Sequence, residues 1–245
     1  MPRSRPATAT PPGTRHPGAL DRRAAVHAAL GEPSRLAIVD ELVVSDRTPS
    51  ELSARLGLAS NLLAHHLDVL DEAGLVERSR SSGDGRRRYV HLRAGALDGL
   101  WSPAPLGPTE RSGGPPPVAA IGAALFVCTA GSARSQLAAA LWRARTGCDA
   151  TAAGTDPAAR VHPKAVAAAR RHGLVLTGDR PLALAEVGRR PRLVVTVCDR
   201  AHEDLDPDGR RWLHWSVPDP VAAGTAAAFD ATVAELAARI DRLAA

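Results

Sequence analysis

The residues best suited to chemistry lie in one short segment, residues 127–135, which reads VCTAGSARS. A short apolar run precedes this segment and the strong helix formers of SQLAAALWRAR follow it, a pattern that indicates strand, tight loop and helix. The amide N–H groups of such a loop converge in front of the helix, where the helix dipole also favours negative charge. We therefore predict a binding site for an oxyanion such as phosphate or arsenate. Its predicted residues are Thr129, Ala130, Gly131, Ser132, Ala133, Arg134 and Ser135.

Cys128 stands where the predicted strand ends, and Arg134 stands where the helix begins. A helix N-terminus with a neighbouring arginine favours the thiolate form of a cysteine, and the thiolate is the nucleophile. The planar guanidinium of Arg134 suits two oxygens of an anion and the charge that develops during transfer. Ser135 can donate a hydrogen bond to the thiolate. The alternative interpretation is a buried strand cysteine in front of an ordinary helix.

The loop resembles that of the low-molecular-weight tyrosine phosphatase and thiol-dependent arsenate reductase superfamily, which usually reads Cys-Thr-Gly-Asn-Ser-Ala-Arg-Ser. Ala130 and Gly131 stand where the superfamily tends to have glycine and asparagine, and that asparagine side chain usually braces the loop. Further along, AGTDPAARVHPKAV resembles the second strand and the following helix of the superfamily. The resemblance implies that Cys128 is a catalytic nucleophile.

Composition predicts one large domain or two small ones. Hydrophobic residues make up 44% of the 245 residues but aromatic residues only 3%, so the cores must consist mostly of Leu, Val and Ala. Three widely spaced cysteines cannot form a disulfide framework, which favours a reactive thiol in a reducing compartment. No run of about 18 apolar residues and no signal-peptide core occurs, so we expect a soluble cytoplasmic protein without a membrane partner.

Stretches rich in proline divide the chain. The first residues include RPATATPPGTRHPG, which has no apolar period, and WSPAPLGPTERSGGPPP separates two regions of regular periodicity. The predicted divisions are a disordered basic tail at 1–19, a winged helix-turn-helix domain at 20–100, a Pro/Gly linker at 101–117 and an α/β domain at 118–245.

Four helical stretches follow the tail, namely DRRAAVHAAL, PSRLAIVDELVV, TPSELSARLG and SNLLAHHLDVLDEAG, and then LVERSR and RRRYVHL flank the turn SSGDG as a hairpin. This order is the layout of a winged helix-turn-helix, in which the fourth helix would enter the major groove of DNA. Because the formal net charge is only +5, evidence for DNA binding must come from where the arginines lie. The alternative interpretation is that the arginine run is simply a solvated turn. Predicted DNA contacts are Ser60, Asn61, His65, Arg78, Arg80, Arg86, Arg87 and Arg88.

Residues 30–92 resemble the winged-helix repressors of the ArsR/SmtB type, notably in AHHLDVLDEAGLVERSR. The resemblance implies operator DNA as a partner, and a homodimer because two recognition helices must meet half-sites about one helical turn apart. In arsenic-sensing members the second helix ends in Glu-Leu-Cys-Val-Cys-Asp, whereas residues 41–46 read ELVVSD. Val43 and Ser45 cannot bind arsenite as thiolates do, so we predict that this domain lacks that inducer site.

Strands alternate with helices in the second domain, where DATAAGT, PRLVVTVCDR and WLHWSV indicate strands and HPKAVAAARRHG and FDATVAELAARIDRL indicate helices. The alternation predicts a doubly wound parallel sheet with its site at the C-terminal ends of the strands. The resemblance further implies a general acid in an Asp-Pro pair near the C-terminus, which is Asp219 in HWSVPDP. The same pair also marks ordinary turns.

Cys198, at the end of VVTVCDR, stands where thioredoxin-coupled arsenate reductases carry their first resolving cysteine, and Leu205 occupies the place of the second. Cys198 is therefore either a resolving thiol or a buried strand residue, in which case an external thiol would resolve the adduct. Tyrosine phosphatases of the family place an aromatic residue beside the Asp-Pro pair to stack on the substrate. None flanks Asp219, and HWSVPDP looks more like arsenate reductase.

Three functions follow from these patterns. The first is an arsenic-resistance protein, a transcriptional regulator fused to a thiol-dependent arsenate reductase that uses external thioredoxin or a low-molecular-weight thiol, with no bound cofactor or metal. The second is a tyrosine phosphatase fused to a DNA anchor. The third is a regulator whose second domain only senses an oxyanion or a redox state, and it predicts binding without turnover.

Overall fold

The structure, a computed structural model, describes residues 19–93, 95–97, 122–206 and 212–244. The predicted tail at 1–19, apart from its last residue, and the predicted linker at 101–117 lie outside the described residues. Within the described ranges, no helix has the length and apolar character needed to cross a bilayer.

The N-terminal domain consists of four helices and a hairpin, which confirms the predicted winged helix-turn-helix. Its elements are α1 (Ala19–Leu30), α2 (Pro33–Val44), α3 (Pro49–Leu56), α4 (Ser60–Glu72), β1 (Val76–Arg80) and β2 (Arg88–Leu92). Thr48 and Glu51 begin α3 with a capping box, in which each side chain accepts a hydrogen bond from the other residue's amide. Gly57 ends α3 in the left-handed conformation, with φ of 65°. Leu63 and Leu67 of α4 are buried in the core of this domain, as the helical period predicts.

The C-terminal domain is a five-stranded parallel sheet with helices packed against it, so the predicted architecture is confirmed. The strand order is β5-β4-β3-β6-β7, and β3 is the central strand. The elements are β3 (Ala124–Cys128), α5 (Arg134–Thr146), β4 (Ala150–Gly154), α6 (Pro163–Arg171), β5 (Leu182–Ala183), β6 (Leu193–Thr196), α7 (Asp199–Leu205), β7 (Leu213–His214), α8 (Pro220–Ala223) and α9 (Ala226–Ala244). Every residue of β3 is buried, as expected for a parallel strand covered on both faces.

Three elements of this domain, β5, α7 and the four-residue helix α8, were not predicted from the sequence. The edge strand β5 has only two residues, which is too short for a periodic pattern. Helix α7 reads DRAHEDL and begins directly after Cys198. Its seven residues are mostly charged, so they carry no apolar stripe that would indicate a helix.

The two domains contact each other directly. Helix α2 packs on α9, and the indole Nε1 of Trp215 donates a hydrogen bond to the carbonyl of Val44, at 3.0 Å. Val44 is the last residue of α2, and a helix leaves such carbonyls without an intrahelical partner. The second domain therefore supplies a hydrogen-bond donor to a carbonyl at the C-terminal end of α2.

Candidate functional site

The loop after β3 turns its carbonyl oxygens outward. Four of them accept hydrogen bonds of 2.9 to 3.1 Å from amides of the segment that follows β4. The carbonyl of Gly131 accepts one of 2.8 Å from Nε2 of Gln136. Because a trans peptide points its C=O and N–H groups in opposite directions, the amides of residues 129–133 face the inside of the loop, in front of α5. The four backbone pairs are Cys128 with Thr155, Thr129 with Asp156, Ala130 with Ala158 and Ser132 with His162.

Two glycines allow the loop to pack against the end of β4. Gly131 has a φ of 61°, a left-handed conformation that favours glycine. A Cβ atom on Gly154 would lie only 2.8 Å from both the amide nitrogen of Gly131 and the carbonyl oxygen of Thr129. The buried side chain of Gln136 supplies a brace for a loop that has no asparagine at position 131. Sequence reasoning missed Gln136, whose only signal is a polar residue within the apolar run SQLAAALW.

Cys128 and Arg134 lie at the two ends of this loop. Cys128 is 3% exposed, and its Sγ is 3.2 Å from Oγ of Ser135, close enough for that hydroxyl to donate to a thiolate. Arg134 is the first residue of α5 and is buried. Its Nη1 donates to the carbonyl of Val217 at 2.9 Å, and its Nη2 lies 3.2 Å from Oδ2 of Asp219. The structure thus brings the predicted anion-binding guanidinium and the predicted general acid together.

Asp219 stands just before α8, where its Oδ1 accepts a hydrogen bond from the amide of Val221 at 3.0 Å. The other oxygen faces Arg134, and the side chain is 39% exposed. A carboxyl group in this place can exchange protons with water while it lies beside Arg134, at the end of the anion loop. Both features are requirements of the predicted general acid.

Cys198 also adjoins the loop. Its Sγ is 3.3 Å from Oγ1 of Thr129 and accepts a hydrogen bond from the amide of Ala201, so Cys198 caps α7. Burial, and after it the proximity of Cys128, raise the pKa of the Cys198 thiol. A second thiol therefore lies against the loop that begins after Cys128, and in this environment its protonated form is favoured. Leu205 ends α7 and packs against the core.

The predicted DNA-binding residues of α4 share one solvent-facing side. Ser60, Asn61 and His65 are exposed there, and Arg78 of β1 donates to Oδ1 of Asp68 on the same helix, at 2.6 Å. This contact ties the hairpin to the helix predicted to enter the major groove. Of the other predicted hairpin contacts, Arg80, Arg86 and Arg88 are exposed and Arg87 is half-buried.

The turn of the hairpin is bound by α7, which no sequence pattern predicted. Oδ2 of Asp199 accepts a hydrogen bond of 2.6 Å from the amide of Ser82. The carboxylate of Glu203 accepts one of 2.6 Å from Oγ of Ser81 and one of 2.7 Å from the amide of Asp84. The segment next to the predicted wing arginines is therefore attached to the helix that begins after Cys198.

Comparison with known protein families gives matches in both domains. The family described as low molecular weight phosphotyrosine protein phosphatase matches residues 123–245, and a helix-turn-helix domain matches residues 30–79. No curated protein matches the sequence.

Several solved structures are similar to parts of the chain. An arsenate reductase from Archaeoglobus fulgidus is 28% identical over 49% of this chain and 98% of its own, with a TM-score of 0.44. The YwlE arginine phosphatase from Geobacillus stearothermophilus is 22% identical over 50% of this chain and 90% of its own, with a TM-score of 0.41. The winged helix-turn-helix domain of Mb0332 from Mycobacterium bovis, a possible ArsR-family regulator, is 30% identical over 30% of this chain and 65% of its own, with a TM-score of 0.28.

Proposed function

We propose a function from one premise, which is that the chain belongs to the low molecular weight phosphotyrosine protein phosphatase family and carries a helix-turn-helix domain in front of that region. The proposed function is that of a DNA-binding regulator fused to a thiol-dependent arsenate reductase. The observation that carries this proposal is the position of Cys198, whose Sγ lies 3.3 Å from Oγ1 of Thr129 in the anion loop. Phosphoryl hydrolysis needs one thiol, whereas reduction of arsenate needs a second one, and Cys198 can supply it from within the protein.

In the first step, the thiolate of Cys128 attacks the arsenic atom of arsenate. Asp219 donates a proton to the oxygen that leaves, so water departs and a sulfur–arsenic bond forms. The amides of residues 129–133 stabilise the charge on the remaining oxygens, because their donors are already aimed at the inside of the loop. The guanidinium of Arg134, at the end of that loop, adds its positive charge. Arsenic remains in its pentavalent state at this point.

In the second step, the thiolate of Cys198 attacks Sγ of Cys128. The sulfur–arsenic bond breaks, its electron pair stays on arsenic, and arsenite leaves while a disulfide joins the two cysteines. The two cysteines have together lost two electrons in forming the disulfide, and arsenic has gained them. An external reductant, thioredoxin or a low-molecular-weight thiol, must therefore restore both thiols. Because the pKa of Cys198 is raised, we expect this second step to be the slower one at neutral pH.

The test is arsenate turnover by the full chain with either reductant, comparing Cys198→Ser with the parent protein. We expect the variant to stop after one Cys128 thiol has been consumed per arsenate. Cys148→Ser is the matched control, since Cys148 follows the C-terminus of α5 and should leave turnover intact. Unchanged multiple turnover of Cys198→Ser would assign the second step to an external thiol and remove the support taken from Cys198.

A phosphatase is the second candidate. The combination of Cys128, Arg134 and Asp219 is sufficient for hydrolysis through a phosphocysteine, and the raised pKa of Cys198 favours a thiol that stays protonated. This function predicts hydrolysis of an aryl phosphate without any thiol reductant, at the same rate in Cys198→Ser. Oxyanion binding without turnover of either substrate would instead identify a sensor domain.

For the N-terminal domain we propose binding to operator DNA as a homodimer, with α4 in the major groove. The exposed side chains of Ser60, Asn61 and His65 support this function because base edges are read by polar groups on such a helix. The exposed Arg80, Arg86 and Arg88 would contact phosphates. Val43 and Ser45 support a regulator that lacks the thiolate inducer site of arsenic-sensing repressors.

A further inference from the structure

We propose that Asp46, a residue of the helix-turn-helix domain, is a positioning residue for the site in the other domain, because it anchors the segment that carries Asp219. This inference rests on the proposed role of Asp219 as a proton donor. It makes the DNA-binding domain a structural part of the catalytic site rather than only its neighbour.

Asp46 follows α2 and is 1% exposed, yet both its carboxylate oxygens are used by the second domain. Oδ2 accepts a hydrogen bond of 2.6 Å from the amide of Ser216. Oδ1 accepts one of 2.7 Å from Nη1 of Arg239 on α9, itself 6% exposed. The backbone of Asp46 adds a third contact, since its amide donates to the carbonyl of His214 at 2.7 Å.

The anchored segment leads directly to the proton donor. Asp46 binds the amide of Ser216, Arg134 binds the carbonyl of the next residue, Val217, and Asp219 lies two residues further on. Pro218 stands between them and restricts the backbone. The position of the Asp219 carboxylate is therefore determined by two charged anchors, of which one comes from each domain.

The charge of Asp46 is maintained in the folded protein. Burial alone would raise the pKa of this carboxyl, but the Arg239 guanidinium and its hydrogen bond outweigh burial and hold the pKa below its usual range. An asparagine at position 46 has the same shape, but it has only one acceptor for two donors. It can satisfy either Ser216 or Arg239 and must turn an amide group toward the other.

The test is a double-mutant cycle in the full chain with Asp46→Asn, Asp219→Asn and the double variant. The readout is the rate at which the Cys128 thiol is lost on mixing with arsenate, and the same cycle is run on hydrolysis of an aryl phosphate. General acid catalysis contributes about 10²-fold to 10⁴-fold, so partial misplacement of the acid should lower the rate in Asp46→Asn about 10-fold. Because Asp46 acts through Asp219, adding Asp46→Asn to Asp219→Asn should cost nothing further.

Two measurements separate positioning from a general loss of structure. Inhibition by inorganic phosphate should change less than the rate in Asp46→Asn, because the loop that carries the anion-binding amides is held by residues 155–162 and by Gln136. Glu203→Gln is the matched control, since Glu203 lies at the same domain interface but binds the hairpin turn rather than the segment 214–219. We expect Glu203→Gln to change the rate by no more than about twofold.

Multiplicative losses in the double variant, or an equal loss in Glu203→Gln, would overturn the positioning role while leaving the proposed function intact. A parent protein that turns over neither arsenate nor aryl phosphate would overturn both, and this outcome is visible without any variant. If Asp46→Asn does not fold, Arg239→Lys replaces it, because lysine keeps a cation beside Asp46 without the planar fork. A smaller loss that again vanishes in the Asp219→Asn background is then expected, and a multiplicative loss would refute the proposal.

Discussion

Replacing Gly154 with alanine should displace the anion loop without changing any predicted catalytic residue. The new Cβ would meet the amide nitrogen of Gly131 and the carbonyl oxygen of Thr129 at 2.8 Å, and both are backbone atoms that cannot rotate away. To reach an ordinary contact of 3.4 Å, the loop must retreat by about 0.6 Å. Since a displacement of about 1 Å can cost about 10²-fold in rate, we expect turnover to fall by about 10-fold to 100-fold. Overpacking should also cost about 1–3 kcal/mol of stability.

The assay combines oxyanion affinity, turnover and denaturant unfolding in the full chain. Gly188→Ala is the matched control, because a Cβ there meets nothing within 4 Å and Gly188 does not have a left-handed φ. Its unfolding free energy should change by no more than about 0.5 kcal/mol. Phosphate or arsenate affinity at the parent level in Gly154→Ala would show that the loop can bind an anion from a shifted position, and the reasoning from its packing would be wrong.

Two further predictions concern DNA contact and pH. Arg88→Ala should reduce the magnitude of the slope of log affinity for duplex DNA against log salt by about 1, because one phosphate contact is lost. Arg145→Ala in the other domain should leave the slope unchanged. An equal change in both variants would contradict a contact by Arg88. Burial, and then the neighbouring His214, lower the pKa of His202 to about 2, whereas an unfolded histidine titrates near about 6.5. His202 therefore contributes stability that is present above a pH of about 6.5 and is lost as the pH falls toward 2, because the unfolded state binds the proton that the folded state excludes. Denaturant unfolding at several pH values should show a shallower dependence in His202→Gln, and an unchanged dependence would refute the assignment.

The parts of the fold that the sequence predicted are those with local signatures. The apolar stripe of α9, with Phe229, Val233 and Leu236 buried, follows from a 3.6-residue period alone. The stretch TPSELSARLG, which forms α3 and ends in Gly57, is likewise a local pattern. The strand-loop-helix order at residues 127–135 placed Cys128 and Arg134 at the two ends of one loop for the same reason.

The missed features are contacts made by single polar residues. Asp46 and Ser216 are 170 residues apart and share no pattern that either residue's neighbours reveal. Gln136 braces the anion loop through one hydrogen bond, which leaves no periodic trace. Such contacts depend on the detailed geometry of the folded chain, and hydrophobic periodicity carries no information about that geometry.

The segment ELVVSD shows how far a local interpretation can be from the use that the fold makes of the same residues. By resemblance to the ArsR/SmtB repressors, residues 41–46 are the predicted place of an inducer site, which Val43 and Ser45 cannot form. In the structure this end of α2 is the attachment point of the second domain, through the carbonyl of Val44, the hydroxyl of Ser45 and the carboxylate of Asp46. A helix C-terminus offers unpaired carbonyls and a sharp change of direction, which suits either a ligand or a protein surface. The contacts at this place connect the helix-turn-helix to the segment that bears Asp219, next to the predicted oxyanion site of the second domain.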